Sequence, residues 1–168
     1  MSAGRSGGAI VLPNGMETMK SLSNLFLAEA ETALLRGQTV RVRVAGESML
    51  PFLRGAKDTI ELVPVASEEL RRGTVVLFRH NGSYVIHRII ACCEDHFVMQ
   101  GDGNIIGHER AARNDIAGVL RYVKCSSGRT VDCRGWRWRL LSATWMRLRP
   151  VRRYLLAVYR RINKEKSI

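Results

Sequence analysis

Between residues 39 and 133 the chain falls into short runs that alternate apolar and polar residues, each closed by a turn signal, and no other feature restricts its fold as much. Thr39-Val40-Arg41-Val42-Arg43-Val44 alternates strictly, sending Val40, Val42 and Val44 to one face and Arg41 and Arg43 to the other. Further strands are expected over 58–65, 74–79, 84–91, 96–100, 116–125 and 130–133. Asn81-Gly82, between two of them, predicts a two-residue hairpin. Short strands at this spacing imply a mainly β fold, a compact domain of sandwich or barrel type.

Three boxes within this region carry chemistry. The first is Gly46-Glu47-Ser48-Met49-Leu50-Pro51, where a small hydroxyl residue stands at a strand end beside a glycine, with Pro51 ending regular pairing. Ser48 suits a nucleophile if a base lies within hydrogen-bond reach and something supports that base. The second is Tyr84-Val85-Ile86-His87-Arg88-Ile89-Ile90, in which His87 alternates onto the face of Val85 and Ile89, towards a core. The third is the turn Gly101-Asp102-Gly103-Asn104, whose Asp102 is the first choice for the acid that orients the histidine, with Asp115 the second. A turn aspartate also commonly bonds its own backbone.

In that order the Gly-x-Ser-Met-x-Pro box, the Val-Ile-His-Arg strand and the Gly-Asp-x-Asn turn resemble the signal peptidase I clan, in its histidine-using branch. The resemblance covers about residues 39 to 124 and implies a compact β domain of the signal-peptidase or SOS-repressor kind. It also implies a serine peptidase with Ser48 as nucleophile and His87 as general base. Many clan members use a lysine instead; here Lys57 and Lys124 are the only lysines between Ser48 and the end of the β region, and neither stands where that base is expected. The chain departs from the family at Gly73-Thr74, where Gly-Asp is common. As a whole it is similar to small peptidase-like proteins of Bacteroides-type bacteria that share the Gly-Asp-Gly-Asn turn and a Trp/Arg-rich tail. The resemblance further implies that Leu50, Phe52 and Leu53 line an apolar substrate cleft, with core packing as the ordinary alternative, and that a peptide binds as an added strand.

The 168 residues suffice for one domain with a core of its own. Residues 1–20 are glycine-rich and without period, and are expected to be disordered or a non-native extension. A helix is expected over 21–36, where Leu22, Leu25, Phe26, Ala30, Ala33 and Leu34 recur at helical spacing; with a β core over 39–133 it would complete a domain spanning 21–133. The net charge of +12 is concentrated in residues 134–168, a basic amphipathic tail of two helices meeting at Pro150. Trp138, Leu141, Trp145 and Leu148 form one stripe; Val151, Tyr154, Leu155, Val158 and Ile162 form the other. Its arginines and aromatics suit an anionic membrane surface; ahead of Pro150, packing on the β domain is an equal expectation. Cys92, Cys93, Cys125 and Cys133 lack zinc-site spacing and read as reduced thiols, and no cofactor or metal is expected.

These readings converge on an endopeptidase acting on a leader, precursor or membrane-associated peptide. With no signal sequence or spanning run recognised, a cytoplasmic location is expected, with peripheral contact to the inner face of the membrane as the further expectation. The alternatives are a self-cleaving regulator of the SOS-repressor kind and a binding module that has lost catalysis. DNA is not an expected partner, since no helix-turn-helix precedes the β region.

Overall fold

The computed structural model describes residues 10–11 and 19–165, with side chains from Phe26 to Ile162. One helix, α1 (Met19–Leu35), follows a two-residue strand, β1 (Ile10–Val11). The β region comprises β2 (Val40–Arg43), β3 (Thr59–Val63), β4 (Val75–His80), β5 (Ser83–Cys92), β6 (His96–Gln100), β7 (Glu109–Ala112), β8 (Ile116–Lys124) and β9 (Thr130–Asp132). Two further helices close the chain, α2 (Trp136–Arg147) and α3 (Arg152–Glu165). The described strands form one hydrogen-bonded sheet in the order β1-β2-β3-β8-β4-β5-β6-β7, with β9 also on β8. Every pairing is antiparallel except that of β1 with β2.

The mainly β fold with helices at both ends is as the pattern predicts, and the β4–β5 hairpin turns at Asn81-Gly82 with both residues at positive φ, as a two-residue turn of this type requires. Two expectations need correction. The composition of residues 1–20 predicts no order, yet Ile10–Val11 pair with Val40 and Arg41, and the helix begins at Met19; the rest of 1–18 lies outside the described residues, as do the side chains of Leu22 and Leu25. The strand β7 has no counterpart in the sequence pattern. Glu109-Arg110-Ala111-Ala112 contains no β-branched or aromatic residue, so nothing in its composition announces a strand.

Successive residues of β4 and β5 serve two cores, one on each face of the sheet. Val75 and Leu77 join α1 (Ala30, Ala33, Leu34), Val40, Val42, Ile60, Leu62 and Trp138 in the first. Val76 and Phe78 join Ile89, Phe97, Met99, Ala111 and Val119 in the second. Because Val76 faces His87 and Val75 faces Arg88 across the hairpin, His87 belongs to the second face and Arg88 to the first.

Candidate functional site

Ser48 sits half-buried in the connection from β2 to β3, and backbone bonds close this loop on itself. Val44 N donates to Asp58 O at 3.0 Å, Ala56 N to Val44 O at 2.8 Å, and Leu50 N to Glu47 O at 3.1 Å. The buried Asp58 carboxylate adds a brace, accepting from Arg54 N and Arg54 Nη2, each at 2.9 Å. That hydrogen bond and the carboxylate's charge outweigh partial burial and raise the Arg54 pKa.

The Gly-Asp-Gly-Asn turn lies directly on the Ser48 backbone. Gly103 N donates to Ser48 O at 2.7 Å. A Cβ at Gly103 would meet Glu47 O at 2.6 Å, and one at Gly101 would collide with Ser48 O while coming within 2.9 Å of His87 Nε2. Only residues without side chains allow this approach. Ser48 and the imidazole are thus both packed against one point of the chain, Gly101.

His87 is buried, 4% exposed, with its ring 6.2 Å from that of Phe78. Its Nδ1 is 2.8 Å from Glu109 Oε2. The sheet register explains this contact: Ile89 opposes Met99, and Met99 opposes Glu109, so Glu109 projects to the same face as Ile89 and His87. An ionised carboxylate only accepts, so this contact suits the tautomer with its proton on Nδ1, which leaves Nε2, next to Gly101, facing the Ser48 turn.

Asp102, the first choice for this acid, serves a different residue. Its buried carboxylate takes Arg88 Nε at 2.9 Å and Arg88 Nη2 at 2.6 Å in a two-pronged pair. Arg88 is fully buried, and its Nη1 donates to Gly73 O and Ser142 Oγ, both at 2.7 Å. The guanidinium also lies 4.8 Å from the Phe52 ring centre. Since Arg88 leaves β5 on the face opposite His87, the carboxylate that neutralises it cannot also reach the imidazole. Asp115, the second choice, is engaged locally: its Oδ2 accepts from Ala112 N at 3.2 Å, with Arg79 3.8 Å from Oδ1. It caps the short turn after β7.

The expected substrate-binding residues are also reassigned. Leu53 is fully buried and Leu50 nearly so, while Phe52 packs edge-on against Trp138 and Trp145, at 5.1 and 6.1 Å between ring centres. Leu53 and Phe52 share a core with Trp138 and so fasten the Ser48 loop to α2, and Leu50 is buried rather than lining a cleft. Glu109 and Arg88 are the residues that sequence reasoning missed. Glu109 lay in the unrecognised strand; Arg88 stood in plain view inside the Val-Ile-His-Arg box.

The helix α2 completes the Arg88 side. Trp138 and Ser142 are buried, and Trp145 Nε1 donates to Asp102 O at 3.1 Å. Arg152, at the start of α3, reaches back to Trp145 O at 3.2 Å. Further along α3, Arg160 Nε lies 3.8 Å from Glu47 Oε2, beside Ser48. Among the described residues, no cluster of His, Cys, Asp and Glu has the arrangement of a metal site, and no helix is long and apolar enough to cross a membrane. No protein-family model matches the chain, and no curated protein matches it.

Proposed function

We propose that this protein is a serine endopeptidase in which Ser48 is the nucleophile, His87 the general base, and Glu109 the acid that orients the imidazole. The observation that carries the reading is the placement of His87, with Nδ1 on a carboxylate at 2.8 Å and Nε2 at the glycine that abuts the Ser48 backbone. A serine hydroxyl is too weak a nucleophile near neutral pH without such a base. As Oγ attacks the scissile carbonyl carbon, its proton passes to Nε2, directly or through one water, and Glu109 stabilises the imidazolium. The backbone N–H of Ser48 is the economical donor to the developing oxyanion. Collapse of the tetrahedral intermediate expels the amine, which takes the proton from Nε2; water then cleaves the ester by the reverse sequence.

The resemblance of the three boxes to the histidine-using signal peptidase I clan supports the same chemistry and points to a leader, precursor or membrane-associated peptide held as an added strand. The acid differs from the one the boxes suggested. We place the enzyme in the cytoplasm, in contact with the inner face of the membrane.

Digestion of a peptide library, read by mass spectrometry, tests the reading. Wild-type protein should produce cleavages at consistent sites, and Ser48→Ala should remove them while keeping the wild-type melting temperature. Cleavage that persists in a folded Ser48→Ala protein would put the nucleophile elsewhere.

A further inference from the structure

The helix α3 has two unlike sides. Arg152 and Leu156, four residues apart, are buried against the domain. About a third of a turn round the helix, Tyr154, Leu155, Val158 and Ile162 form a second stripe at spacings of three and four, with exposed Val151 just ahead of the helix. This one faces outward: Tyr154 is 58% and Val158 57% exposed, with the Arg153 guanidinium lying over the Tyr154 ring at 4.5 Å. The remaining circumference carries Arg153, Arg160 and Arg161, all exposed, with Arg149 just ahead of the helix. No acidic residue occurs between Asp132 and Glu165.

We propose that this outward face docks on an anionic membrane surface, with the apolar stripe in the headgroup boundary and the arginines attracted to lipid phosphates and carboxylates. A helix this rich in arginine, with its apolar residues gathered to one side and its cations to the others, has the pattern of one that lies in the interface rather than across it. The charge is spread along the helix on several sides, which suits a continuous negative plane better than the few discrete acids of a protein groove. A helix is about 10 Å across, so even arginines on its far side lie within about one Debye length of the surface at 0.1 M salt.

The orientation follows from one contact. Arg160 lies about half a turn round from Val158 in the stripe, and it is Arg160 that approaches Glu47, the neighbour of Ser48, at 3.8 Å. Docking through the stripe therefore holds the Ser48 turn about one helix diameter, roughly 10 Å, above the surface. An extended chain leaving the headgroups covers that distance in about three residues. Resting on the peptidase reading, this defines the substrate as a polypeptide cut close to a membrane.

Flotation of the full-length Ser48→Ala protein with vesicles tests the docking independently of catalysis, so its failure and that of the peptidase reading are distinguishable. Binding is expected to vesicles of equal parts phosphatidylglycerol and phosphatidylcholine, and not to phosphatidylcholine alone. It should fall roughly fivefold for each of Arg149→Gln and Arg161→Gln, and weaken with added salt. The pair Tyr154→Ser and Val158→Ser, at exposed positions that leave the charge unchanged, should lower partitioning at least tenfold with unaltered circular dichroism. Absence of binding to anionic vesicles at low salt overturns the proposal. Binding indifferent to the Tyr154 and Val158 changes, or equal retention by DNA, also overturns it and leaves a general polyanion-binding tail. Dimerisation through the stripe without flotation assigns the face to a second copy instead.

Discussion

The two sides of β5 differ in what one residue step accomplishes. His87 turns to the second core, where a half-buried carboxylate, Glu109, meets one ring nitrogen and the other is left towards the Ser48 turn. Arg88 turns to the first core, where its guanidinium is consumed by Asp102, Gly73 O and Ser142, with Phe52 and Trp138 against its faces. One side leaves an imidazole nitrogen facing the Ser48 turn, as the proposed proton transfer requires; the other commits the Arg88 guanidinium and the Asp102 carboxylate to holding the turn in place. Two acids within one site thus have unlike work, decided by the face of the strand to which their partners project.

The sharpest way to break this contrast is to remove the ion pair. Truncating Asp102 to alanine leaves a buried guanidinium without its counter-charge and should cost about 3–5 kcal/mol of stability, measured by urea unfolding. If Asp102→Ala instead kept full stability and lost only turnover, the division between the two sides would be mistaken. Glu109→Gln should act in the opposite manner, lowering turnover on library-derived peptides by about a hundredfold or more while unfolding shifts little. A Glu109→Gln enzyme with unchanged pH–rate behaviour would remove Glu109 from the mechanism.

Cys133 reports on the Arg88 side from a smaller effect. Burial pushes its thiol up to about 12, a shift the nearby Arg88 partly opposes. The thiolate is therefore scarce near pH 8, and iodoacetamide should label exposed Cys92 and Cys93 well before Cys133. In Asp102→Ala protein, loosening of this side should bring Cys133 labelling forward. The smallest change belongs to Asp115→Asn, which keeps a side-chain oxygen for Ala112 N and should alter stability by no more than about 0.5 kcal/mol, and turnover not at all.

How far the sequence reveals this molecule depends on which interactions have a period. The strands rich in valine and isoleucine were legible, as was the alternation that buries His87. β7 was not, because alanine and charged residues become a strand here only through pairing with β6. The matching boxes made Asp102 the first choice to orient His87 but could not say on which face of β5 its carboxylate would close. In α2 the apolar pattern suggested Leu141 facing inward, yet Leu141 is exposed and Ser142 buried. A buried guanidinium needs an acceptor more than the core needs another leucine, so a hydroxyl occupies the inward position.

Dependence of the Arg88 clamp on α2 also sets an order in time. Asp102 and Arg88 are synthesised well before Ser142 and Trp145, and at roughly 5–20 residues per second the interval lasts a few seconds. During it the serine, the imidazole and Glu109 already exist on the nascent chain, while the α2 groups that complete the clamp, Ser142 Oγ and Trp145 Nε1, do not. Under the proposed peptidase function, competence to cleave would then arrive last, after the sheet has formed, and the emerging polypeptide would be spared an early encounter with Ser48.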